Sequence, residues 1–588
     1  MPQFDLIIRG GTIVDGTGEA RYTGDVAVKD GLIAQVGKIT GDAAREIDAR
    51  GKVVAPGFVD IHTHYDGQAT WDQEMAPSSW HGVTTVVMGN CGVGFAPAKP
   101  DRHEWLISLM EGVEDIPGTA LAEGITWDWE TFPEYLDALE KLPRTVDVGT
   151  HVPHGAVRAY VLGDREQPGA VPTQEDIEAM SDIVEEGVRA GALGFSTSRT
   201  VLHKSVDGEL VPGTTATAEE LVAIGHAMGR GQAAGGHAVF EMASDLRREW
   251  NEFEWMGKLS REAGVPVTFA ALQSIAKEMP LDEQIETMRA ENDNGANIVA
   301  QIALRGNGIV MAWQGTVHPF VYRPSWQAIA ELPWAEQKAK LLDPAFKKQL
   351  LSEANDYSEA PQDIIEVVMV VTQGWALQYE MDPDFDYEPD ASASINARAE
   401  AAGMDSQEYA YELLCREDAT GFIYLPILNY ADGNLDFLHP LQHADDTVNS
   451  LSDGGAHCGT ICDAASPTFM LEHWVKSRKR GDRISLENAI RRQCRDTAML
   501  YGLEDRGIIA PGYLADINVI DMERLKLGRP WLAFDLPAGG KRLLQKAEGY
   551  VATIKSGVVT FEDGTWTGAT PGGLVRGPQR AALAEAAE

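Results

Sequence analysis

The chain has 588 residues, 44% of them apolar, which is enough for a large core and exceeds one average domain. It carries 49 Lys plus Arg against 89 Asp plus Glu, a net charge of -40. Such a surface repels nucleic acid and anionic membranes, and no uncharged apolar run reaches the roughly 18 residues of a membrane helix. The opening MPQFDLIIRGG lacks a basic segment followed by a long apolar one. It reads as a strand rather than a signal peptide, so a cytoplasmic location is expected.

Residues 4–55 alternate short apolar runs with tight turns, among them Lys29-Asp30-Gly31, a good hairpin signal. The pattern changes at Val53–Ile61, which leads into a buried strand. From there to about residue 505, apolar runs alternate with helical stretches. The runs include Val83–Met88, Val146–Gly149, Ala192–Ser196, Ala238–Glu241, Val267–Ala271 and Ile423–Leu428; Gln174–Ala190 and Ala218–Ala234 read as helices. Strand–helix alternation predicts a parallel sheet with crossovers, and its length suits an α/β fold of the TIM-type (β/α)8 barrel. Residues 320–420 break the rhythm and read as a helical insertion, either over the barrel mouth or as extra outer helices. Strands return after 507. The expected organisation is a barrel over 56–505 and a small β-sandwich built from 1–55 and 506–570. A tail, 571–588, follows, its last residues a short helix or frayed.

The strongest motif is Pro56-Gly57-Phe58-Val59-Asp60-Ile61-His62-Thr63-His64. Residues two apart on a strand point the same way, so His62 and His64 can face one point at a strand end. Two neutral imidazoles converging there suit a divalent transition metal. Five cysteines (Cys91, Cys415, Cys458, Cys462 and Cys494) are odd in number and irregularly spaced, which argues against a disulfide framework. Cys91 is the candidate metal ligand among them. No Gly-x-x-x-x-Gly-Lys run points to a nucleotide cofactor.

The stretch Val54–His64 resembles the opening barrel strand of the amidohydrolase superfamily. Gly82–Gly92, with Cys91, resembles the cysteine strand of the N-acyl-D-amino-acid deacylases (D-aminoacylases). His154–Arg158, Gly191–Thr197, Ser452-Asp453-Gly454, Leu514–Ile517 and Asp535–Gly540 are similar in the same order. The resemblance implies a barrel with a β-sandwich, one or two Zn2+ ions at the strand ends, and hydrolysis of an amide bond in a small-molecule substrate. It implies Asp453 as catalytic base and metal ligand, and Cys91 and His237 as metal ligands beside His62 and His64. His154 and Ser196 fall in its motifs as candidate substrate contacts, and Arg199 as a contact to an anion or carbonyl. Each has a plainer alternative: a buried cysteine, a backbone-bonded histidine, a turn aspartate. His439, His443 and His457 stand near Asp453 in sequence, and one of them could line the pocket. An assembly of identical chains is compatible with all of this.

One departure matters. The family carries His-His-Lys after a Val-Pro-Val strand, and this chain has Ala271, Leu272 and Gln273. The later region Cys462–Pro467 has no arginine to hold a substrate carboxylate. The leading expectation is an N-acyl amide deacylase with altered carboxylate contacts. A cyclic-amide (hydantoinase-like) or lactone hydrolase is the alternative, disfavoured by the want of a lysine at a mid-barrel strand end. A binding protein that has lost its metal is the third.

Overall fold

The computed structural model describes residues 2–582 except 168 and 275–277, so the expected helix or fray at 581–588 lies almost wholly outside the described residues. The N-terminal strands are β1 (Phe4–Ile13), β2 (Tyr22–Lys29), β3 (Leu32–Gly37), β4 (Ala43–Asp48) and β5 (Val53–Pro56). Seven parallel strands follow: β6 (Phe58–Asp60), β7 (Val83–Met88), β8 (Asp147–Pro153), β9 (Gly194–Arg199), β10 (Val239–Ser244), β11 (Val267–Ala271) and β12 (Ile298–Ile302). Every residue of β7, β9, β10 and β11 is buried, as expected for strands covered on both faces. The crossover helix Gln174–Ala190 starts at a capping box of Thr173 and Asp176 and stops at Gly191, whose φ of 115° few other residues adopt.

The chain then leaves the parallel sheet. β13 (Asn307–Met311), β14 (Tyr379–Glu380) and β15 (Ile423–Leu428) form a separate three-stranded antiparallel sheet, with helices between them and an apolar core of their own. This corrects the reading of Ile423–Leu428 as a parallel strand: its bounds are right, but an apolar run does not reveal its partner. The insertion is fastened to loops at the C-terminal ends of the parallel strands. Asn307 Nδ2 donates to Asp463 Oδ2 at 2.8 Å, Val310 N to Thr460 O at 2.7 Å, and Asn429 N to Gln273 O at 2.8 Å. It therefore sits on the mouth side.

β16 (Thr447–Asn449) returns beside β12 as the eighth strand. The first and last strands meet just past their ends. Thr63 bridges Gly454 in parallel, His64 N donates to Gly454 O at 2.8 Å, and Asp453 N donates to His62 O at 3.1 Å. The Ser452 hydroxyl also donates to Asp60. These contacts close the eight strands into a ring. At the opposite end, Val575 joins Val59, Ile61, Val87, Leu193, Val239 and Val448 in one apolar cluster. The segment around it pairs with Arg144 and Val148.

Both chain ends build one nine-stranded mixed sheet, in which β17 (Ile517–Ile520) lies between β5 and the strand Tyr550–Lys555. The pairing does not divide it into two sheets. It curls back, Leu32 pairing with Leu514, and one face gathers Leu6, Val28, Val54, Val519 and Ile554 around a single core. The other face meets the ring, with Val53, Ala55 and Ile520 in the ring's own core. Lys555 Nζ, 3.0 Å from Asp147 Oδ2 and from Asp516 Oδ1, ties the two units by charge.

Glu388 locks the insertion to the segment Met470–Ser477. Its carboxylate accepts from Arg478 Nε (3.0 Å) and Nη2 (2.9 Å), His473 Nε2 (2.9 Å) and Leu435 N (2.8 Å). Burial alone would raise its pKa, but the donors from His473 and Arg478 hold it at about 2 against an ordinary 4.5. A depressed carboxyl stabilises the fold fully above its unfolded pKa and loses that contribution as pH falls through the folded one. Glu388→Gln should therefore cost about 3 kcal/mol at pH 7. The gap to wild type in urea midpoint should shrink at pH 3; an equal gap at both pH values would refute this account.

Candidate metal centre

The segment that leaves β6 carries His62 and His64 into the closed rim, with ring centroids 5.4 Å apart. Cys91 reaches the same point by a different device. After β7 the chain turns sharply through Gly89 (φ 75°), Cys91 (φ 54°) and Gly92 (φ 70°). A Cβ on Gly92 would stand 2.8 Å from Ser198 N, so backbone lies against backbone there and only glycine fits. Ser196 on β9 clasps this turn: its hydroxyl donates to Gly89 O and accepts from Gly92 N at 3.0 Å.

His62, His64 and Cys91 each offer a donor atom within 4.8 Å of the others, and all three are buried. Cys91 Sγ is 3.4 Å from His62 Nε2. Asp453 Oδ1 lies 3.5 Å from His62 Nε2 and 3.9 Å from His64 Nε2. Its side chain keeps 16% of its surface exposed, whereas the two histidines keep 1% each, so Asp453 is the member that faces outward.

Further groups hold the imidazoles. His62 Nδ1 is 2.9 Å from Gln301 Oε1, which also accepts from Ser450 Oγ at 2.7 Å. A carbonyl oxygen only accepts, so Nδ1 carries the proton and the Nε2 lone pair points at Cys91 and Asp453. His64 Nδ1 stands 3.2 Å from Glu114 Oε1, and His457 Nε2 is 3.7 Å from Glu114 Oε2. Glu241 on β10 accepts the Cys91 N–H at 2.9 Å.

Burial dominates the electrostatics. It lowers the His62 pKa, and that of His64 further, which keeps both imidazoles neutral. It pushes Asp453 up to about 7, with Asp463 adding to the rise, and Glu241 to about 7 against the pull of His62. It raises the Cys91 thiol well above its usual range. Neutral imidazoles beside a thiol and several buried carboxyls form a donor set that fits a zinc-type cation, which would favour the thiolate and the carboxylates. Glu114 Oε2 and Glu241 Oε1 are buried without hydrogen-bond partners, as acceptors awaiting positive charge would be.

The other residues singled out in the sequence lie elsewhere or are otherwise engaged. His237 is a correction. It precedes β10, at the end of the ring opposite to the trio, with Nε2 3.0 Å from Leu500 O. Donors converge where strands exit, and His237 stands where one enters. His154 is fully buried, with Nε2 on Glu220 Oε1 (3.0 Å) and Nδ1 on Thr197 Oγ1 (2.9 Å), so both nitrogens are spent inside the protein. Arg199 gives Nε to Glu252 Oε1 and Nη1 to Ala216 O, each at 2.7 Å, and lies over Trp250. Ser196 shapes the cysteine turn, as described above. Of the three late histidines, His457 is the one beside the site; His439 and His443 pack on each other. Ala271 ends β11 and Leu272 packs with Ala270, Ala303 and Leu451. Gln273 bonds Asn429 and Asp432 in the loop that leaves the insertion.

The sequence model of the amidohydrolase family matches residues 45–378 and 433–561. The chain belongs to the amidohydrolase family. The unmatched stretch, 379–432, covers the last part of the insertion, from β14 through β15, and the loop that leaves it. This amidohydrolase is 34% identical over 268 residues to D-aminoacylase of Alcaligenes xylosoxydans xylosoxydans, a match that spans 45% of this chain and half the length of that relative. It is 27% identical over 587 residues to N-acyl-D-aspartate deacylase of the same organism, covering 98% of this chain and 95% of that one. Among solved structures, a D-aminoacylase described as having a binuclear metal centre shares the fold with a TM-score of 0.63, at 22% identity over 98% of this chain and 100% of that one. N-acyl-D-glutamate deacylase from Bordetella bronchiseptica, complexed with zinc and a phosphonate inhibitor, aligns with a TM-score of 0.62 at 20% identity, over 97% and 99% of the two chains. Among the described residues, no helix is long and apolar enough to cross a membrane.

Ser196→Ala should lower stability by about 1–3 kcal/mol, because the buried Gly92 N–H loses its acceptor. Urea denaturation measures it, and a midpoint equal to wild type would mean that the clasp holds nothing.

Proposed function

We propose that this amidohydrolase cleaves the linear amide bond of N-acyl amino acids or related N-acyl amides with the help of a divalent metal held by His62, His64 and Cys91. The observation that carries the reading is the convergence of two neutral imidazoles, a thiol and an outward-facing aspartate at one rim of an amidohydrolase-family ring. Similarity to N-acyl-D-aspartate deacylase over almost the whole chain supports the substrate class. The nitrogen and sulfur donors favour zinc. We read the ring as a TIM-type barrel, the terminal sheet as its companion β-sandwich, and the protein as acting in the cytoplasm.

A cation of this kind supplies Lewis-acid polarisation of the scissile carbonyl and acidifies a water molecule. The remaining work belongs to the protein. Gln301 fixes the tautomer of His62, so that Nε2 presents its lone pair. Asp453, held beside both imidazoles with an exposed edge, takes the proton of the attacking water on its carboxylate and passes it to the leaving nitrogen. The insertion, fastened to the mouth loops, narrows the approach and limits stray water.

Two measurements test the reading. Zinc-loaded protein offered a panel of N-acyl amides, with and without a free carboxylate, should release amine from at least one class; silence across the panel would sink the substrate assignment. Asp453→Asn should keep its metal and lose about 10²–10⁴-fold in turnover. Wild-type rates in that variant would remove Asp453 from the chemistry.

A further inference from the structure

Glu241 stands apart from the trio in sequence yet lies against two of its members, Cys91 and His62. β10 places it inside the ring, where it has no exposed surface. One carboxylate oxygen, Oε2, accepts the Cys91 N–H at 2.9 Å. The other, Oε1, has no hydrogen-bond partner and lies 3.8 Å from His62 Nδ1. That nitrogen already gives its proton to Gln301 Oε1 at 2.9 Å, so His62 does not satisfy Glu241. A fully buried carboxylate oxygen with no donor is costly unless positive charge lies close to it.

The neighbours narrow the source of that charge. Gln301 and Ser450 carry no charge, and the Nδ1 proton of His62 is already taken by Gln301. The next strand, β11, carries no charged side chain. A divalent ion among His62, His64 and Cys91 would supply the charge. The Cys91 thiolate and the carboxylates of Glu241 and Asp453 would in turn offset the charge of that ion, which makes such groups tolerable in a low-dielectric interior.

We propose that Glu241 is a further donor to the cation held by His62, His64 and Cys91, with one oxygen anchoring the Cys91 peptide and the other binding the ion. The inference rests on the metal reading above and adds a donor from β10 to it.

The test uses the full chain, zinc, and a chromophoric chelator competing for it. Glu241→Gln keeps an oxygen that can accept the Cys91 N–H but removes the charge. It should loosen zinc by about 10- to 100-fold while the metal-free protein keeps its circular dichroism. Zinc held within threefold of wild type would overturn the proposal and leave Glu241 as a peptide anchor only. If Glu241→Gln does not fold, Glu241→His decides through the cobalt-loaded form. Replacing an oxygen donor by nitrogen should shift the visible ligand-field bands, and bands identical to wild type would overturn the proposal. A wild-type protein that takes up no zinc defeats the metal reading itself, a result distinct from zinc uptake that ignores position 241.

Discussion

Ring closure is the constraint on which everything else depends. The two segments that meet there carry the residues of the proposed chemistry: His62 and His64 follow the first inner strand, and Asp453 follows the last. Backbone hydrogen bonds from Asp453 N to His62 O and from His64 N to Gly454 O set the separation of those side chains. The hydroxyl of Ser452 on Asp60 adds a side-chain tie across the same seam. The distances of 3.5 and 3.9 Å between Asp453 and the two imidazoles follow from closing a sheet, with no flexible loop left to find its position. A site built on strand ends is rigid, and rigidity suits donors that must meet an ion and a proton carrier in fixed order.

Around that seam the protein spends polar groups generously. Glu114 comes from the helix His103–Glu114, Glu241 from β10, Gln301 from β12 and Ser450 from just past β16. Each is buried, and each touches a residue of the trio or a partner of one. Left without a cation, such a set would be a liability for stability. Binding an ion would convert the same groups into orienting partners and so couple folding to metal uptake.

Much of this was legible in the sequence. The His62-Thr63-His64 spacing needs only the alternation of a strand, and Val83–Met88 and Val267–Ala271 announce themselves as apolar runs of strand length. Order of motifs, read as family resemblance, pointed to Cys91 and Asp453. Glu241 and Gln301 carried a signal that went unread: a single polar residue inside an otherwise apolar strand, Val-Phe-Glu-Met and Val-Ala-Gln-Ile. Glu114 gave none, because an acid at a helix end is ordinary on a surface. The family resemblance placed a metal histidine at His237, just before an apolar run, but that residue stands where the strand enters the ring. The run Ile423–Leu428 misled because hydrophobicity records burial and is silent about which sheet does the burying.

The apolar cluster around Val575 has a consequence for how the chain matures. That residue plugs the base of the ring, yet it follows every strand of the ring in the chain. Without it, Val59, Leu193 and Val239 lack one of the apolar side chains that cover them. Docking of the segment beside Arg144 and Val148 then covers that base, so packing under the ring waits on a stretch of chain that belongs to none of its strands.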